Sequence, residues 1–99
     1  SAGYPEKENL RIKVLNGCGI AGIAGRAATL LRTMGYNVVH VGNADHYGYP
    51  RTLVLDKIGY PVMAKEVAAV FGGEPLLRLH YPTDDSDFTV IIGADWESR

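Results

Sequence analysis

The chain has 99 residues, 46% of them hydrophobic and 21% charged, with a formal net charge of −1. That is the size and composition of one small globular domain. A balance so close to neutral excludes general electrostatic attraction to nucleic acid or to an anionic membrane, leaving only local patches to consider. Cys18 is the single cysteine, so no internal disulfide forms. No run approaches the ~18 apolar residues of a membrane span, and no stretch of these residues reads as a signal peptide.

Ser1 to Asn9 is polar, without a period, and reads as a linker or tail ahead of a single domain over residues 10–96. The start at Ser1-Ala2-Gly3 reads as a domain excised from a longer parent. Leu10 to Leu15 alternates as strand one. A glycine turn follows, Asn16-Gly17-Cys18-Gly19-Ile20-Ala21-Gly22. A helix then begins near Ile20, with Ile23/Ala24, Ala27, Leu30/Leu31 and Met34 on one apolar stripe, and stops at Gly35. Strand two is Asn37 to Val41, with Val39 and Val41 on one face and Val38 and His40 on the other. Gly42 to Pro50 is a polar turn region, and Arg51 to Asp56 is strand three. Pro61 opens a second helix that ends at Gly72-Gly73. Strand four runs from Leu76 to Tyr81, Pro82 to Asp87 turns, strand five is Phe88 to Ile92, and Gly93 to Trp96 closes the domain.

The two halves repeat. Arg11, Val14, Leu15, Gly19, Ala24 and Ala28 recur forty places on as Arg51, Val54, Leu55, Gly59, Ala64 and Ala68, and Gly35 aligns with Gly73. Each half is strand–helix–strand, and each predicts a crossover joining parallel strands. The alternation leaves one sheet face partly polar, where a sheet covered on both sides would show continuous apolar strands. The expected fold is therefore an α/β two-layer sandwich, β-α-β-β-α-β-β with an internal pseudo-repeat: a mixed five-stranded sheet with two helices on one face.

Four features carry potential chemistry. Gly17, Gly19 and Gly22 form a literal G-x-G-x-x-G between strand and helix, the spacing of a dinucleotide site. The acid that should end strand two is displaced to Asp45, no second mononucleotide-binding half exists, and the repeat lacks the glycines. A structural turn is the simpler reading, and Asn16, Gly17, Gly19 and Gly22 as an anion-binding turn the alternative. Alternation gathers Arg11, Lys13, His40, Arg78 and His80 on the polar sheet face, a candidate ligand-binding surface for an anionic polymer; that face lacks the stacking aromatics an RNA-binding sheet needs. Asn43, Tyr47 and Tyr49 in the long connection, with Asp45, His46 and Tyr60 nearby, are candidate loop contacts for carbohydrate or protein. Asp84-Asp85-Ser86-Asp87 lacks a full calcium loop, the histidines lack metal-ligand spacing, and no nucleophile constellation stands out. No metal, cofactor or catalysis is expected.

The ordered set Ile12-x-Val14-Leu15-Asn16-Gly17, Gly22-Ile23-Ala24, Leu30/Leu31 with Gly35-Tyr36-x-Val38, Asn43-Ala44, Thr52-x-Val54 and Val90-Ile91-Ile92-Gly93-x-Asp95 resembles the LytR C-terminal domain family (LytR_C) over about Leu10 to Asp95. One departure is Leu55-Asp56 after Thr-x-Val, where the family pattern has an aromatic. The resemblance implies a non-enzymatic, extracytoplasmic accessory domain of a bacterial cell-envelope protein. Its partners would be cell-wall glycan, an anionic envelope polymer or an envelope protein, with no nucleic acid. A membrane would be met only through an anchor elsewhere in the parent. The rival classes are a small nucleotide- or phosphate-binding domain and a structural dimerisation module using a sheet edge.

Overall fold

The structure, a computed structural model, describes residues 4–79 and 86–97. The elements are β1 (Arg11–Asn16), α1 (Ile23–Thr33), β2 (Asn37–Asn43), β3 (Leu53–Asp56), α2 (Pro61–Val70), β4 (Pro75–Leu77), β5 (Phe88–Ile92) and the single turn α3 (Ala94–Glu97). They form one five-stranded sheet in the order β2-β1-β5-β3-β4. β1 is parallel to β2 and to β5, β3 is parallel to β4, and β3 meets β5 antiparallel. The two β-α-β halves thus flank β5 and run in opposite directions. A pseudo-two-fold axis normal to the sheet, passing through β5, interchanges them. That is the physical form of the repeat, and the expected mixed sheet with helices on one face is what the chain builds.

The core lies between the sheet and the two long helices. Ile23, Ala24, Ala27, Ala28 and Leu31 of α1 and Ala64, Val67 and Ala68 of α2 pack on Ile12, Val14, Val38, Val54, Phe88, Val90 and Ile92. Both helices end alike. Tyr36 N–H donates to the Leu31 carbonyl and Gly35 N–H to that of Arg32. Gly73 N–H likewise donates to Ala68 and Gly72 N–H to Ala69. These are two Schellman closures. They make Gly72, rather than Gly73, the counterpart of Gly35.

Several boundaries differ from the sequence expectation. α1 starts at Ile23 because Ile20 to Gly22 belongs to the turn, with Ile23 N–H bonded to the Ile20 carbonyl. β3 starts at Leu53 because the N–H and hydroxyl of Thr52 both donate to Asp95 Oδ1, each at 2.9 Å. β4 ends at Leu77, short of the expected Tyr81, which lies outside the described residues. β2 continues to Asn43 and carries a bulge: Ile12 pairs with Val38 but Lys13 with His40, skipping Val39. Simple alternation placed Val38 beside His40. The extra residue turns Val38 into the core and keeps His40 on the open face.

Tyr4 to Asn9, read as a tail, packs against the domain. The Tyr4 ring stacks on Tyr60 with centroids 4.2 Å apart, and a 3-10 turn spans Lys7–Asn9. Lys7 Nζ sits 4.4 Å above the Tyr36 ring. The Tyr36 hydroxyl donates to Glu66 at 2.9 Å. Burial first, and then the Glu66 carboxylate, hold the Tyr36 phenol well above its ordinary value. A folded-state pKa raised in this way stabilises the fold below the unfolded phenol value, about 10, and that stabilisation is lost as pH climbs through the folded value. Tyr36→Phe should therefore flatten the alkaline fall in stability above about pH 10, measured by urea denaturation across pH.

Candidate functional site

Asn16 ends β1 and is nearly buried. Its Oδ1 accepts the N–H of Cys18 at 3.1 Å and of Gly19 at 2.9 Å, while Nδ2 donates to the Ile20 carbonyl at 2.9 Å. Forty residues on, Asp56 Oδ1 accepts the N–H of Ile58 and Gly59 at 3.2 and 2.8 Å. Each half thus leaves its first strand through an Asx turn closed by a glycine of positive φ, 81° at Gly19 and 73° at Gly59. Two of the N–H groups that a phosphate would need at the glycine turn are already engaged by Asn16.

The first turn differs from the second in what lies on it. The β2–β3 connection folds over it. Ala44 N–H donates to the Asn16 carbonyl and Tyr49 N–H to that of Gly17. On its other side the loop is tied to the chain end: Ala94 N–H donates to Tyr49 and Asp95 N–H to Pro50. A Cβ on Gly17 would sit 2.8 Å from the Tyr49 ring and 2.7 Å from the Ile91 side chain, and one on Gly19 would sit 3.2 Å from the Tyr47 ring. The glycines make room for two tyrosines. The tyrosine loop and the glycine turn, separate candidates in sequence, form one surface at the carboxyl ends of the parallel strands β1, β2 and β5.

That surface is held by contacts among its own residues. The His46 and Tyr49 rings stack at 4.4 Å, within 1° of parallel. The Tyr49 hydroxyl donates to Asp45 at 2.7 Å, and Gly48 N–H donates to His46 Nδ1 at 2.9 Å. The Tyr49 hydrogen bond holds the Asp45 carboxyl below its usual range and the same bond raises the Tyr49 phenol. Tyr47 stands 54% exposed beside them, and Asn43 is exposed at the end of β2. His46 and Asp45 are the members that sequence reasoning named only as neighbours. The four-residue spacing from Asp45 to Tyr49 was visible, but nothing local showed that the ring of residue 46 would fold back on residue 49.

Arg11 and Lys13, two apart on β1, and His40, in register with Lys13 on β2, lie side by side on the open face, whereas Arg78 lies apart. Arg11 is held by Asp87, Nη2 to Oδ1 at 2.9 Å, and its backbone N–H donates to the same carboxylate. Lys13 is engaged too, and pairs in register with His40 across β1 and β2. Arg78 follows β4 at the opposite edge, three strand spacings or ~14 Å from β1. His80 lies outside the described residues, as do Asp84 and Asp85 of the acidic cluster. The open face is also more apolar than expected, because Leu15, Ile91 and Leu53 form its middle row. Sequence reasoning missed Lys57, which is buried with Nζ 3.2 Å from Ser86 Oγ and 3.4 Å from Thr89 Oγ1.

Two substitutions test the turn as a structural device. Asn16→Ala strands the N–H groups of Cys18 and Gly19 and should cost ~1–3 kcal/mol. Gly17→Ala forces Ile91 and Tyr49 to shift and should cost ~1–3 kcal/mol. Both are read by chemical denaturation.

A search of curated proteins finds no match. Among solved structures, the soluble domain of a conserved hypothetical secreted protein from Mycobacterium marinum, the Rv2700 ortholog, aligns with a TM-score of 0.65 at 22% identity. The match covers 90% of this chain and 62% of that one, so the chain spans less than two thirds of that neighbour's length. The C-terminal domain of RV0431, solved in solution, aligns with a TM-score of 0.61 at 25% identity, covering 95% of this chain and 80% of that one. Among the described residues no helix is long and apolar enough to cross a membrane. The model of the LytR_C family, described as LytR cell envelope-related transcriptional attenuator, matches residues 9–96, and the chain belongs to that family.

Proposed function

We propose that this chain is a non-catalytic accessory domain of a bacterial cell-envelope protein, located outside the cytoplasm, and that it binds wall glycan through the Asn43–Tyr49 loop. The observation that carries the reading is the preformed loop: a stacked His46–Tyr49 pair, a Tyr49–Asp45 hydrogen bond and an exposed Tyr47, all seated on the first glycine turn. Sugar rings offer apolar C–H faces to aromatic rings and hydroxyls to carboxylates and amides. A surface of tyrosines rimmed by Asp45 and Asn43 meets both needs with groups already in place. The basic face supports an anionic polymer less well, because Arg11 is neutralised by Asp87 and Arg78 stands at the far edge.

The test is a pull-down on purified peptidoglycan sacculi, with and without their attached anionic polymer, at two salt concentrations. Binding to stripped sacculi that changes little with salt is expected, and Tyr47→Ala should weaken it about fivefold to tenfold, the ~1 kcal/mol of one aromatic contact. Binding that requires the polymer and falls with salt would overturn the glycan reading and move the site to Lys13 and His40. Absence of binding to either preparation would also overturn it.

A further inference from the structure

The pseudo-two-fold axis makes the two outer edges of the sheet equivalent, yet they are finished differently. The β2 edge is blunted: the bulge at Val39 interrupts it, and Arg32 Nη2 donates to the Val38 carbonyl at 3.0 Å. Among the described residues the β4 edge has neither device. Arg78 N–H donates to the Asp56 carbonyl at 2.8 Å, which directs the backbone groups of Leu76 and Arg78 toward β3. By alternation the Pro75 carbonyl and the N–H and carbonyl of Leu77 face outward. Leu76 is 44% and Leu77 65% exposed. Glu74 and Arg78, of opposite sign, bracket the strand, both exposed, and neither side chain has a partner among the described residues.

We propose that β4 pairs antiparallel with β4 of a second copy of this chain, joining two sheets into one about a two-fold axis at Leu76. The segment Glu74-Pro75-Leu76-Leu77-Arg78 is self-complementary in that register. Leu77 N–H donates to Pro75 of the partner subunit, and the reverse bond forms by symmetry. Pro75, which has no N–H, supplies only its carbonyl. Glu74 lies opposite Arg78 of the partner subunit, twice, and Leu76 meets its own copy on the open face.

Sedimentation equilibrium on the 99-residue chain, from about 10 μM to about 1 mM, reads the association. Dimerisation is expected. Leu77→Pro removes an outward N–H while leaving the β3 ladder intact, and should weaken the dimer at least about tenfold. Glu74→Arg alone and Arg78→Glu alone place like charges opposite each other and should each weaken it about tenfold; the double reversal should return it to about the wild-type constant. Circular dichroism checks that each variant folds, and the reversal series decides the matter if Leu77→Pro does not. A monomer across the whole range overturns the proposal. So does a dimer indifferent to a folded Leu77→Pro, or a double reversal no stronger than the single ones.

Discussion

Everything in this domain depends on β5 being gripped from both sides. It is the last of the described strands in sequence and the middle one in the sheet, parallel to β1 and antiparallel to β3. All five of its residues are buried. Burying Phe88, Val90, Ile91 and Ile92 contributes about 1.5–3 kcal/mol each, comparable in sum to the whole net stability of a domain this size, about 5–15 kcal/mol. The two β-α-β halves have no shared strand pairing without it. Each would present an open edge, β1 on one side and β3 on the other, until β5 pairs with both.

The near-symmetry shows what the fold needs and what it adds. Needed twice are an Asx turn closed by Asn16 or Asp56, a glycine of positive φ, an alanine-rich helix face and a Schellman closure. Added once are the loop over the first turn and the hydrogen bonds that tie it to the chain end. Gly17 belongs to the added set: no second glycine stands at position 57, where a lysine is buried instead. The asymmetric parts are where the domain departs from its own repeat, and the aromatic surface is among them.

Most of the architecture was legible in the sequence, because period and punctuation agree along the chain. Gly35, Pro61 and Gly72 marked helix ends, and the forty-residue offset marked the halves. The errors share one cause, that alternation is a local rule. It cannot see the bulge that skips Val39, since that depends on how β2 meets β1. Nor could it see that Asp87 would close on Arg11 across seventy-six residues, or that Tyr47 and Tyr49 would come down on Gly19 and Gly17. The glycine pattern, read in the sequence as a structural turn, has its physical origin in packing. A tight turn, a close approach and a left-handed residue are also demands of packing, and here two aromatic rings make those demands where a pyrophosphate would in a dinucleotide site.

The loop stitched between the first turn and the chain end also bears on how a ligand would be chosen. Four main-chain hydrogen bonds, from Ala44, Tyr49, Ala94 and Asp95, hold it at both flanks, and the Tyr49–Asp45 bond holds it within. Little conformational entropy remains to be lost on association, so even a few modest contacts can hold a ligand. The same rigidity removes the freedom to remould around ill-fitting shapes. A ligand bound there would be selected by geometry, a sugar ring of the right outline fitting and one with a substituent in the wrong place not.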